Sequence, residues 1–225
     1  MTLGQSLGKW INVFDKQELA VVLNTLNGLY RTKLICPKAE NVFRAFQLCP
    51  YDSCKVIFIG QDPYPQKDVA TGILFGNDTT NTSNLSSSLQ VIRNACCEPS
   101  DYFDYSLEYW CKQGVLMISA ALTVEQDKVG SHSILWKQFM SKFLDKYSST
   151  EPGQIYVLFG KYAQSFKPYI HHKFNDIIEV EHPSYYVRNG ESMPKEIFNE
   201  INQLLINKYG VPIEWTANYL YEEIF

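Results

Sequence analysis

The chain lacks several features that would decide its class at once. No apolar run approaches the roughly 18 residues that a membrane-spanning helix needs, so the reading involves no membrane. The segment from Met1 to Asp15 has no basic stretch followed by an apolar one, so no secretory signal is expected and the reading is cytoplasmic. There is no internal repeat and no block of like charge. The six cysteines, Cys36, Cys49, Cys54, Cys96, Cys97 and Cys111, form no C-x-x-C pair. The adjacent Cys96 and Cys97 are poorly placed to share a tetrahedral metal, so buried free thiols are expected rather than zinc or a disulfide framework.

What is present is a chain of 225 residues, 45 % hydrophobic and 14 % aromatic, with a net charge of −4. That composition can bury a sizeable core and excludes whole-chain disorder. The length fits one domain spanning residues 1–225. The acidic balance argues against a broad nucleic-acid-binding coat but leaves room for a local basic groove. One stretch is compositionally biased, Asn77 to Ser88, rich in Asn, Thr and Ser. It reads as a loop running into a helix N-cap.

Short apolar runs alternate with helical spacing. Strands are expected at Lys55–Gly60, Val115–Ser119, Gln154–Gly160 and Asp176–Val180. Helices are expected at Gln17–Leu29, Ala39–Leu48, Leu85–Cys97, Ile134–Tyr147, Tyr162–His171 and Pro194–Tyr209, the last followed by Gly210. Alternation of this kind gives an α/β three-layer sandwich, a four-stranded mainly parallel sheet flanked by helices. Ligands of such sheets bind beyond the carboxyl ends of the strands.

Two of those ends carry titratable groups followed by proline. Asp62, in GQDPYP, is either a turn residue capping its own backbone or a carboxylate held for general-base or cation-stabilising work. His182, in HPSYY, is either a satisfied surface histidine or a donor to a leaving group. Their shared position at one sheet edge favours an active site. Phe75 is a core ring or a platform for a planar base. Tyr64, Tyr185 and Tyr186 are ordinary loop tyrosines or exposed stacking groups.

These motifs resemble those of family 1 uracil-DNA glycosylases. GQDPYP resembles the water-activating GQDPYH motif, and HPSYYV the HPSPLS loop. VFRAFQLCP, Ser86-Ser87-Ser88-Leu89 (for P-P-S-L), Leu122-Thr123-Val124 with Ser131-His132, LFGKYAQ and the terminal PIEW follow in the family's order, from about Trp10 to Trp215. The resemblance implies hydrolysis of the N-glycosidic bond of deoxyuridine in DNA by base flipping, without metal or organic cofactor. It assigns Asp62 to the sugar cation and the water, and His182 to the uracil anion. Gln61, Tyr64, Phe75 and Ser119 fall in the uracil pocket, with Tyr64 excluding the thymine methyl. Pro65, Ser88, Lys161, Ser184, Tyr185, Tyr186 and Arg188 fall along the DNA. The implied partners are uracil-containing single- or double-stranded DNA and a DNA-mimicking inhibitor protein, with a monomer as the default state.

Three positions depart from the pattern. Ser119 replaces the Asn whose amide reads uracil as both donor and acceptor, leaving one hydroxyl. Pro65 replaces the His of GQDPYH, as in the poxviral branch. Tyr185 and Tyr186 replace the Pro and the intercalating Leu, and an aromatic wedge is expected there. Ser119 keeps two alternatives open: a weak or inactive glycosylase-fold module for DNA binding or replication, and a glycosylase with altered base preference.

Overall fold

The computed structural model describes residues 3–77 and 85–217. Its helices and strands in chain order are α1 (Leu3–Leu7), α2 (Lys16–Thr32), β1 (Ile35–Cys36), α3 (Arg44–Leu48), β2 (Val56–Gly60), α4 (Ser87–Cys96), α5 (Glu108–Lys112) and β3 (Val115–Ser119). They continue as β4 (Val124–Glu125), α6 (Ser133–Thr150), β5 (Ile155–Phe159), α7 (Gly160–Gln164), β6 (Asp176–Val180), α8 (Pro183–Asn189) and α9 (Glu196–Tyr209). The central sheet has the order β3-β2-β5-β6. Every neighbouring pair in it is parallel. β2, β3 and β5 are buried along their whole length, which is why they read as unbroken apolar runs; the edge strand β6 is only partly covered.

Helix ends follow local chemistry. Asp15 caps α2 by accepting from the backbone N–H groups of Gln17 and Glu18, both at 3.0 Å, and Leu19, Val22 and Leu26 form its buried stripe. Ser86 caps α4 through the Leu89 N–H at 3.2 Å, while residues 78–84 of the biased stretch lie outside the described residues. Gly210, at φ 76°, closes α9. Flanking layers fill with aromatic rings. Trp10, Phe14, Phe46, Phe143 and Tyr147 form one cluster, and Phe58, Trp110, Phe198 and Trp215 another.

Two expected helices are broken. Within Ala39–Leu48 a 3₁₀ turn over Ala39–Asn41 precedes α3. Val42, Phe43, Ala45 and Phe46 are all buried. Tyr162–His171 splits into α7 and a 3₁₀ turn over Lys167–Tyr169, because Pro168 has no N–H to continue an α-helix. The short helices α1, α5 and α8 and an antiparallel ribbon of β1 with β4 were not foreseen. All six cysteines are free thiols, buried except for the partly exposed Cys96.

Candidate functional site

The parallel ladder does not stop at the strand ends. Ala120 N–H donates to Gly60 O at 2.9 Å and Ala121 N–H to Gln61 O at 3.0 Å, so Gln61 and Asp62 leave β2 alongside the segment that leaves β3. Leu74 N–H donates to Met117 O at 3.0 Å and lays the Phe75 segment on the outer edge of β3. At β5 the chain turns at Gly160 (φ 81°), where a Cβ would stand 2.9 Å from the His182 Cβ. Glycine there lets the segment after β6 close over the end of β5. The ribbon supports the Asp62 loop: Asp127 N–H donates to Pro65 O at 3.0 Å, and the Cys36 thiol lies 3.7 Å from that oxygen.

Between these segments lies a cleft of about 800 Å³. Asp62, His182, Gln61, Tyr64, Phe75, Ser119, Pro65, Ser88, Lys161, Ser184 and Arg188 all line it. Tyr185 and Tyr186 do not. Tyr186 is 8 % exposed and packs in the core, its ring edge-on to Tyr185 at 5.4 Å, so the expected exposed wedge is corrected. The Pro183 N-terminus and Gly190 C-cap fold this stretch into α8, which turns Tyr186 inward and leaves Val187 (43 % exposed) and Arg188 outside.

Asp62 is held on one side only. Its Oδ2 accepts from Gly130 N–H, a close contact, and from the Gln61 amide at 3.3 Å. Its Oδ1 is buried and has no hydrogen-bond partner among the described residues. Burial raises the carboxyl above its ordinary range, against the two donors. Oδ2 is thus fixed by two donors, while the buried Oδ1 is left without one. Sequence reasoning did not find Gly130 as the donor; the only signal was its place just before Ser131-His132 in the family's S-H motif. The same motif folds around Thr123, whose Oγ1 accepts from the Trp136 indole at 2.8 Å and meets His132 Nδ1 at 2.9 Å.

His182 is both the N-cap of α8 and a cleft residue. Its Nδ1 accepts from Ser184 N–H at 3.2 Å and meets Ser184 Oγ at 2.8 Å. A backbone N–H can only donate, so Nδ1 is the unprotonated nitrogen and the ring proton sits on Nε2. Arg188 Nη1 donates to Ser184 Oγ at 3.1 Å, which turns the serine hydroxyl proton toward the ring. Burial, aided by the Arg188 charge, holds the imidazole pKa down at about 4. At neutral pH His182 is therefore a neutral donor. Its ring packs against Phe75 at 5.7 Å. Phe75 has φ 63°, a left-handed conformation that costs a non-glycine residue about 1–3 kcal/mol unless its surroundings hold it.

The remaining walls are Tyr64, whose hydroxyl donates to Phe75 O at 3.1 Å, and Ser119, 6 % exposed at the end of β3. Among the described residues no group of three or more His, Cys, Asp or Glu is placed to hold a metal ion. No described helix is long and apolar enough to cross a membrane.

Known proteins resemble this chain. The Uracil DNA glycosylase superfamily pattern matches residues 46–206. A uracil-DNA glycosylase of Campylobacter jejuni subsp. doylei is 32 % identical over 206 residues, covering 89 % of this chain and 87 % of its own. That of Mycoplasmopsis pulmonis is 32 % identical over 215 residues, covering 92 % and 96 %. The mimivirus uracil-DNA glycosylase structure superposes with a TM-score of 0.72 at 21 % identity, covering 95 % of this chain and 91 % of that one. A substituted form of mimivirus UNG, solved in complex with UGI, gives 0.77 at 23 % identity, covering 89 % and 83 %. The match of pattern, relatives and sheet-edge geometry means that this chain belongs to the uracil DNA glycosylase superfamily, as a hydrolase that releases uracil from DNA.

Proposed function

We propose that the chain flips deoxyuridine into this cleft and cleaves its glycosidic bond by a dissociative path. As the bond stretches, the sugar becomes an oxocarbenium-like cation and the base an anion. The Asp62 carboxylate stabilises the cation, and its free Oδ1 orients the water that attacks. His182 donates its Nε2 proton in a hydrogen bond to the developing uracil oxyanion. A neutral imidazole suits this task because it keeps its proton while strengthening the bond as charge grows. Phe75 provides the stacking face, Gln61 holds the base, Tyr64 bounds its C5 side and Ser119 offers one hydroxyl to its polar edge. Ser88, Ser184, Lys161, Arg188 and the Pro65 turn take the flanking phosphates of single- or double-stranded DNA, with the protein acting as a monomer. The UGI complex of mimivirus UNG supports the same cleft as a target for a DNA-mimicking inhibitor.

One observation carries this reading: a buried carboxylate oxygen without a partner and an imidazole with only Nε2–H to offer line the same cleft. Single-turnover release of uracil from labelled single- and double-stranded oligonucleotides tests it. Asp62→Asn should lower the rate roughly 10²- to 10⁴-fold and leave DNA binding intact. No release by the wild-type chain, with DNA binding retained, would favour the non-catalytic module that Ser119 motivates.

A further inference from the structure

The cleft contains a hydrogen bond that the family's P-P-S-L turn cannot make. Ser86 stands where that turn has its first proline, which carries neither a hydroxyl nor an N–H. Its Oγ accepts the Leu89 N–H at 3.2 Å and closely contacts Tyr64 Oη. Its own N–H donates to Asn77 Oδ1 at 3.3 Å. The Phe75 carbonyl, 3.1 Å from Tyr64 Oη, can only accept, so the phenol proton points there. The Ser86 hydroxyl proton then points to the phenol oxygen. A single directed chain runs from Leu89 N–H through Ser86 Oγ–H and Tyr64 Oη–H to Phe75 O. One end is the first turn of α4, which also carries Ser88; the other is the backbone of Phe75, fixed at φ 63°. Burial pushes the Tyr64 pKa well up, so the phenol keeps the proton it gives to Phe75.

We infer that Ser86 is a specificity-determining positioning residue: through its bond to Tyr64 it fixes the wall that meets the C5 side of the base. The inference rests on the reading that Tyr64 bounds C5 of a flipped uracil. Discrimination by clash is only as strong as the cost of moving the clashing group. A phenol tethered at the Phe75 carbonyl alone can swing; one tethered also at α4 cannot yield without breaking a second bond. The serine thus links the turn that meets the phosphates to the wall that rejects a substituent.

The test compares single-turnover excision of uracil and of 5-bromouracil, whose substituent is close to a methyl group in size, from matched single-stranded oligonucleotides. The proteins are wild type, Ser86→Ala, Ser86→Gly, Ser86→Thr, Tyr64→Phe and the Ser86→Ala/Tyr64→Phe double variant. The bromouracil-to-uracil ratio should rise about three- to tenfold in Ser86→Ala, the weight of one neutral hydrogen bond. Ser86→Gly, which costs an N-cap little, should show the same rise and so separates the wall from the cap. Ser86→Thr, which keeps the hydroxyl, should stay within about twofold of wild type. The double variant should be no more permissive than the more permissive single one, since both remove the same bond. An unchanged ratio in both Ser86→Ala and Ser86→Gly, while uracil is still released, overturns the inference alone. So do multiplicative effects in the double variant. No uracil release by the wild type overturns the functional reading and this inference with it.

Discussion

Ser119 occupies the last position of β3, paired with Gly60 at the point where the Asp62 loop begins. An amide there presents a donor and an acceptor together, whereas a hydroxyl presents one proton that must choose its partner. A good bidentate contact to a base is worth roughly 1–3 kcal/mol. Ser119→Asn should therefore raise kcat/KM for uracil excision about 10- to 100-fold, with uracil selectivity rising over other pyrimidines. Steady-state kinetics on a panel of modified bases checks it. A variant no faster than wild type would mean that other cleft groups already read the base. Asp62 shows the limits of reading at this scale. Its position after a buried strand and before proline was legible. Its electrostatics were not, because they come from burial and from two donors on Oδ2, one of which, Gly130 N–H, is 68 residues away in sequence. Periodicity reports the neighbours along one element, not those that folding brings from elsewhere.

Strand ends position Asp62, Ser119 and His182, while α4 and α8 carry Ser88 and Arg188, and the elements explain which parts of the site were foreseeable. β2, β3 and β5 were visible because strands buried on both faces must be apolar throughout. Their ends then locate Asp62, Ser119 and Gly160. α8 was not visible: a seven-residue helix with tyrosines on two faces has too few turns to show a period. That is why Tyr186, which turns inward, was expected outside. The β1–β4 ribbon, two residues a side, was equally below the length at which alternation can be seen. Gly160 is where element geometry becomes chemistry. With φ at 81° and a Cβ position 2.9 Å from the His182 Cβ, Gly160→Ala must distort the turn or displace the histidine. The left-handed backbone alone costs a non-glycine residue about 1–2 kcal/mol. A displacement near 1 Å at a catalytic group costs on the order of 10²-fold in rate. Urea unfolding should show the first loss and single-turnover uracil release the second. A destabilised variant with the wild-type rate would place the rearrangement in the turn and free His182 from it.

For the molecule as a whole, an acidic chain of net charge −4 meets a polyanion. Lys161 and Arg188 line the cleft, where the proposed function places the flanking phosphates. Arg188 also bonds Ser184 and helps keep His182 uncharged, so the proposed phosphate contact and the imidazole ionisation would share one side chain. The cost of burying this histidine is visible in global stability. Its pKa is about 4 in the folded state and near 6.5 in an unfolded chain. Between those values the unfolded state binds the proton and the native state does not, so folding stability falls as pH drops from 6.5 toward 4. From pH 7 to pH 5 that amounts to about 2 kcal/mol from His182 alone. His132, also lowered by burial, acts in the same direction. Asp62, raised by burial, acts in the opposite one, since the native state takes up its proton more readily as pH falls. His182→Asn isolates the first contribution, because Asn keeps the N-cap and does not titrate. Urea unfolding of both proteins at pH 7 and pH 5 should show the wild type losing about 2 kcal/mol more than the variant. Equal losses would mean that the native imidazole accepts the proton as readily as the unfolded one, and that the neutral-donor role assigned to His182 fails below neutral pH.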